Sequence, residues 1–409
     1  MTTSSSITVS APGKILLAGG YLVLEPMNVG LVIAVDKRVF TTAKISRAED
    51  SANMVQIQVD SPQFGQSWKY TYNREEGIIA ESMNASSNEF IEKTLRVSLL
   101  YLLENDPSVD FIHLTIQADN DFYSLVTHLK ERNLPITLQN ALSLPIFLPA
   151  TVDQTSGKVC KSGLGSSACL VTSMVGALCH AFQKPDAILY NLAQISHCYA
   201  QGKVGSGFDV SAACHGSHVY QRFPETTLHE LLSTLETPSS VDHAKSLLKN
   251  VVESIWPGGV IKPLTMCGFL QVIMADVSGG SESPSMARSV LAWKQKQQKG
   301  RISHWDDLAE ANQEIVRVWQ QLMELPSLSK DEVTQLANCS PETWSDGSNN
   351  WTEVQKKTGS LTAELRRLFL ETRRHLKPMG EGAGVPIEPD EQTALADATS
   401  AVPGVVAAL

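Results

Sequence analysis

The chain has no surplus of positive charge: 33 basic against 43 acidic side chains leave a formal net charge of −10. That argues against broad nucleic-acid binding and leaves room only for a local cationic pocket. No cysteine pair has C-x-x-C spacing. The seven cysteines, an odd number scattered from Cys160 to Cys339, argue against a disulfide framework and suit reduced thiols in a reducing compartment. No uninterrupted apolar run approaches the roughly 18 residues of a membrane span. Met1 to Ser6 carry neither the basic nor the apolar stretch of a secretory signal, so a cytoplasmic protein is expected. No G-x-S-x-G elbow supports a serine hydrolase, and no internal repeat occurs. What is present is ample core material, 43% apolar in 409 residues, enough for two or three domains.

Patterning predicts strands at Ile7–Ser10, Leu31–Ile45, Val55–Val59, Lys69–Tyr72, Phe111–Ile116, Ser217–Phe223 and Phe269–Val277. Ala11 to Lys14 reads as a turn after the first strand. Helical spacing covers Phe90–Leu103, Ser166–Phe182, Ala187–Gln201, Pro284–Gln297 and Ser303–Leu322, with a long amphipathic helix to about Leu376. Residues 119–158 read as a loop-rich insertion. Strands and helices in this mixed order argue for an α+β fold with two lobes, not a doubly wound sheet.

Cys160-Lys161-Ser162-Gly163-Leu164-Gly165-Ser166-Ser167-Ala168 precedes an apolar helical run. Glycines let backbone N–H groups approach an anion, and serines suit a helix N-terminus, where their hydroxyls cap the helix or reach a metal. First-turn N–H groups and the helix dipole favour phosphate there. No lysine follows the second glycine, so this is not a Walker A loop. The pattern also fits the dinucleotide fingerprint G-x-G-x-x-A, with Asp186 as a ribose-binding acid. But Asp153 to Lys161 is polar and broken rather than a buried strand. Lys14, pinned behind Pro12-Gly13, is either a solvated lysine or a point charge for phosphate. Asp209, behind Gly205-Ser206-Gly207, is either a helix N-cap or a catalytic carboxylate. Lys203 adds a cation nearby. Cys214, His215 and His218 lack a second ligand cluster, which argues against zinc. His180 and His197 lie on apolar helix faces and read as core or semi-buried.

In this order and spacing, Ala11-Pro12-Gly13-Lys14 and Gly163-Leu164-Gly165-Ser166-Ser167-Ala168 resemble the first two motifs of the GHMP kinase superfamily. Three further stretches are similar to the fungal-type phosphomevalonate kinases: Ala18 to Glu25, Gln201 to Val210, and Gly384-Val385-Pro386-Ile387-Glu388-Pro389-Asp390. The resemblance runs from about residue 6 to the last. It implies an N-terminal lobe like ribosomal protein S5 domain 2, over 1–225. A helical connector would follow over 226–262 and a ferredoxin-like lobe over 263–409.

The implied reaction is ATP plus 5-phosphomevalonate giving ADP and 5-diphosphomevalonate, on the mevalonate route to isoprenoids and sterols. A mevalonate kinase-like enzyme with a hydroxyl acceptor is the alternative. The resemblance makes Gly163, Leu164, Gly165, Ser166, Ser167 and Ala168 the ATP phosphate cradle, Ser167 a Mg²⁺ ligand, and Lys14 and Asp209 the catalytic pair. Lys14, Tyr21, Lys203, Ser206 and Arg288 become the substrate-binding set. Mevalonate kinase also uses a glutamate for Mg²⁺ on the helix before the aspartate. Here that helix offers His197, Cys198 and Gln201. A third glycine-rich motif is expected after Val406, where the chain reads Ala407-Ala408-Leu409. The resulting expectation is a shortened member that binds MgATP weakly and turns over slowly, or acts only in binding.

Overall fold

The computed structural model describes residues 6–48, 53–81, 88–152, 159–237, 240–275, 283–297, 302–346 and 350–409. Among these, eight strands make one sheet. β1 (Ile7–Ala18) runs antiparallel to β2 (Val29–Arg47), whose valine, isoleucine and threonine content suits a long pleated strand. β3 (Met54–Ser61), β4 (Gln66–Asn73) and β5 (Ile78–Glu81) form a meander, joined to β6 (Val109–Ala118) by a parallel β3–β6 pairing. β7 (His218–Gln221) and β8 (Val260–Pro263) extend the other end of the sheet. The order is β5-β4-β3-β6-β2-β7-β8, with β1 alongside β2.

α1 (Glu89–Leu102) starts at Asn88, whose side chain accepts from the N–H groups of Phe90 and Ile91. The insertion carries two short helices, α2 (Val126–Glu131) and α3 (Leu138–Leu142). α4 (Ser166–Ala181), α5 (Leu189–Gln201) and α6 (Phe208–His215) follow. α4 is apolar nearly all round and packs against β1, β2, α1 and α5, burying Val171, Met174, Val175 and Leu178. α7 (Thr226–Glu236) and α8 (Val241–Glu253) join the same core through Leu228, Leu231, Leu235, Leu248 and Val252.

The second half holds α9 (Ser283–Lys296), α10 (Ser303–Met323), α11 (Lys330–Ala337), α12 (Glu353–Ala383) and α13 (Asp390–Ser400). Over its described residues it is helical, with no strand beyond β8. α10 and α12 pack together through Ile315, Trp319, Leu365 and Phe369, and meet Leu31 and Ile33 of β2. Val32, between those two, packs with Ala212 of α6. The alternation along β2 therefore separates the two layers.

Several local expectations change. Ala11 to Lys14 is not a turn. β1 continues through it with a register shift between Pro12 and Lys14. Proline is tolerated because β1 pairs with β2 alone and bulges at this point. Phe269–Val277 forms no strand over its described residues. Phe269 and Leu270 pack on the second core, while Ile273 is 84% exposed. An apolar run reveals hydrophobicity, but a strand also needs a partner edge. The last two residues of that run lie outside the described residues. The helix expected to end near Leu376 continues through Pro378 to Ala383, held by buried Met379 and Gly380. The stretch from Val405 meets the Arg366 guanidinium, which donates to the carbonyls of Ser400, Val405 and Val406.

β7 begins with His218, fully buried, which donates from Nδ1 to the Gly216 carbonyl and accepts at Nε2 from the Ser211 hydroxyl. Burial pushes its pKa down to about 4. The unfolded chain takes up a proton near 6.5 and the native imidazole does not. Its contribution is therefore complete above about pH 6.5 and is lost as pH falls towards 4, about 3 kcal/mol in all. Urea midpoints measured from pH 7 to 4 should fall steeply, and His218→Gln should flatten that slope.

Candidate active site

Lys14 follows the β1 bulge, so its backbone and side chain both reach the 163–168 loop. Its N–H donates to the Leu164 carbonyl at 3.0 Å and its Nζ to the Gly163 carbonyl at 3.0 Å. Nζ also lies 5.5 Å from the centroid of the Phe208 ring. Burial lowers the Lys14 pKa, and the Asp209 carboxylate pulls it back up. Gly165, the residue before α4, sits at φ +81°, and a Cβ there would come within 3.0 Å of Lys14 Cε. Glycine is needed both for the backbone conformation and for the lysine stem. Leu164 and Ala168 are buried and anchor the loop.

No side chain caps α4. Ser166 and Ser167 are its first two residues, so the expected serine cap is absent, and the Ser167 hydroxyl meets His197 instead. A glycine supplies the left-handed entry that a capping serine would not adopt. The first-turn N–H groups remain open to an anion.

Asp209 is the second residue of α6, whose N-cap is Gly207 at φ 77°. It is therefore not the N-cap. Its Oδ1 accepts from the Val210 N–H at 2.9 Å, and Oδ2 lies 3.9 Å from His197 Nε2. His197 also faces Ser167 Oγ at 3.3 Å and Gln201 Nε2 at 3.4 Å. It is 2% exposed, and burial lowers its pKa. The apolar face of α5 makes His197 look like filler. Its place beside Ser167 and Asp209 comes only from the packing of α4, α5 and α6. Cys169 is inert by comparison: its thiol donates to the Pro12 carbonyl, and burial pushes it up to about 12.

Tyr21 closes the Gly19-Gly20 turn at φ 63°, a conformation rare for an aromatic residue. Burial raises the pKa of its phenol. Ser206 is half-buried, with its carbonyl accepting from the Tyr220 hydroxyl. Lys203 and Arg288 are exposed, on the loop after α5 and on α9. The structure thus brings Lys14, Gly163, Gly165, Ser167 and Asp209 into one constellation with His197. His180 is exposed and pairs with Asp186 at 3.3 Å. That occupies the acid of the dinucleotide reading, and among the described residues no parallel strand leads into α4 as that reading requires. Among the described residues no group of three or more His, Cys, Asp or Glu is placed to hold a metal ion.

Residues 139–217 match the model of the GHMP kinases N terminal domain, a span containing the phosphate loop, His197 and Asp209. The phosphomevalonate kinase of Gibberella zeae is 33% identical over 98% of this chain and 84% of that protein. The chain belongs to the phosphomevalonate kinase family. The peroxisomal phosphomevalonate kinase of Arabidopsis thaliana is 30% identical over 98% of this chain and 87% of its own. Among solved structures, Streptococcus pneumoniae phosphomevalonate kinase in complex with phosphomevalonate and AMPPNP gives a TM-score of 0.51. Its identity is 14%, over 91% of this chain and 80% of that one. A Lin0012 protein from Listeria innocua gives 0.59 at 18% identity, over 97% and 85%. These likenesses establish the GHMP kinase fold, a mixed α+β architecture with one large sheet. No helix among the described residues is long and apolar enough to cross a membrane.

Proposed function

We propose that this phosphomevalonate kinase family member transfers the γ-phosphoryl group of ATP to the phosphate of 5-phosphomevalonate, releasing ADP and 5-diphosphomevalonate. The observation that carries the reading is the Lys14 ammonium, tied to the phosphate loop at Gly163 and electrostatically coupled to Asp209. An acceptor phosphate oxygen attacks the γ-phosphorus as the bond to the β–γ bridging oxygen breaks. A phosphate monoester has a second pKa of about 6, so the acceptor is already ionised at neutral pH and no base is needed. The obstacle is repulsion, about 4 kcal/mol per pair of unit charges at 4 Å and an effective dielectric near 20. Lys14 is placed to offset it, with the open N–H groups of α4 holding the nucleotide phosphates. Asp209 keeps Lys14 charged and oriented. Lys203 and Arg288 are the further candidate cations.

Mg²⁺ takes hard oxygen ligands, one or two from protein and the rest from phosphates and water. The Ser167 hydroxyl and the Asp209 carboxylate fit that donor set, both lying against His197 Nε2. When bound there, the ion would neutralise phosphate charge. The product would feed isoprenoid and sterol synthesis. All seven cysteines are free thiols, which suits a reducing compartment such as the cytoplasm.

Release of ADP with 5-phosphomevalonate and with mevalonate tests the proposal. Turnover is expected with the first and at most trace turnover with the second. Comparable rates with mevalonate would make this a hydroxyl kinase. ATP binding without turnover of either acceptor would make it a binding protein.

A further inference from the structure

Arg222 follows β7 and is 2% exposed. Its Nη1 donates to the Leu24 carbonyl at 2.5 Å and to Glu225 Oε1 at 2.7 Å. Its Nη2 donates to the carbonyls of Gly205 at 2.6 Å and Val204 at 2.9 Å. Leu24 ends the short helical turn that Tyr21 opens at φ 63°. Val204 and Gly205 belong to the loop between Lys203 and Asp209. One guanidinium therefore staples two loops that lie far apart in the chain.

Stability does not explain this staple. Burying a guanidinium is costly, and Arg222 Nε has no partner. Apolar replacements of buried ion pairs are often neutral or stabilising. A rigid fork that reaches several acceptors at fixed angles is what arginine supplies and lysine does not. Neighbouring side chains act in the same direction. The Tyr220 hydroxyl donates to the Ser206 carbonyl at 2.8 Å and Gln194 Nε2 to the Gly207 carbonyl at 2.7 Å. The carbonyls of Val204, Gly205, Ser206 and Gly207 are thus all taken by side-chain donors. Peptide planarity turns the N–H that follows each carbonyl the opposite way. The N–H groups of Ser206, Gly207 and Phe208 meet no backbone acceptor among the described residues. They lie directly before Asp209, and it is the Phe208 ring that Lys14 Nζ faces. Arg222 bonds to no residue of the 163–168 loop, which is held separately by Lys14.

We infer that Arg222 is a positioning residue for the acceptor side of the transfer site: it sets the spacing between the Tyr21 turn and the 204–207 loop, and through them the seat of the acceptor phosphate. The inference rests on the kinase reading above. Arg222→Lys keeps the charge and removes the fork, and Tyr220→Phe removes the single hydroxyl that holds the Ser206 carbonyl. KM and kcat for ATP and for 5-phosphomevalonate are measured in both, with 5-phosphomevalonate binding followed by calorimetry. Arg222→Lys should raise the acceptor KM and Kd by about tenfold or more, the cost of lost charge-assisted hydrogen bonds. Tyr220→Phe should move them less and in the same direction, with the KM for ATP nearly unchanged in both. An ATP KM that rises as much as the acceptor KM, or an acceptor KM that does not move, overturns the inference. If Arg222→Lys does not fold, Tyr220→Phe decides by the same criteria. A wild-type chain that neither binds nor turns over 5-phosphomevalonate overturns the functional reading and this inference together. Unmoved acceptor constants in variants of an active wild type overturn the inference alone.

Discussion

Lys14→Met is expected to lower kcat by about 10³-fold, the scale of losing one preorganised charge at the transferred phosphoryl group. Two features make the effect large. The ammonium is fixed by the Gly163 carbonyl rather than free to wander, and in the proposed reaction it would stand between phosphates that repel each other. The same substitution should leave the melting temperature unchanged or raised. Burial already works against the charge of Lys14, and methionine retains most of the stem that packs on Gly165. Steady-state kinetics measured beside thermal unfolding separates loss of chemistry from loss of fold. Near-normal turnover in a folded variant would remove Lys14 from the chemistry.

Asp209→Asn is expected to lower kcat by about 10²-fold, at the low end of what loss of an acid–base group costs. The pH dependence separates its two candidate roles. A base that deprotonates a hydroxyl is replaced increasingly well by solvent as pH rises, so the deficit would shrink. Here Asp209 raises the Lys14 pKa against the lowering effect of burial. Its neutralisation lets Lys14 lose its proton at lower pH than in the wild type. The alkaline limb of kcat/KM should therefore move to lower pH in Asp209→Asn, and the deficit should widen with pH. Profiles of kcat/KM from pH 6 to 10 settle the sign. A deficit that closes steeply on the alkaline side would indicate a hydroxyl acceptor.

The mixed α+β class, the long second strand, the helices after the phosphate loop and the family itself were legible because each rests on local pattern. Residue type and spacing also marked the glycines of the 163–168 loop. Errors gathered where a segment's state depends on a distant partner. The apolar run from Phe269 has strand composition and lacks a paired edge over its described residues. Pro12-Gly13 carries turn chemistry and sits inside a strand because β1 has only one neighbour. The serines at 166 and 167 suit a cap, but Gly165 takes the N-cap position.

The sequence by itself determined the chemistry available: a glycine-rich anion loop before a helix, a lysine behind Pro-Gly, an aspartate behind Gly-Ser-Gly, and too little positive charge for any broad polyanion. These are properties of residue type and neighbour, and such properties survive in one dimension. Only the tertiary structure decided which of the candidates meet. It placed Lys14 on Gly163, put the apolar-face His197 between Ser167 and Asp209, and drew Arg222 between two loops far apart in the chain. Such contacts are made by packing α4, α5 and α6 on β1 and β2, and by hydrogen bonds whose partners no spacing rule connects.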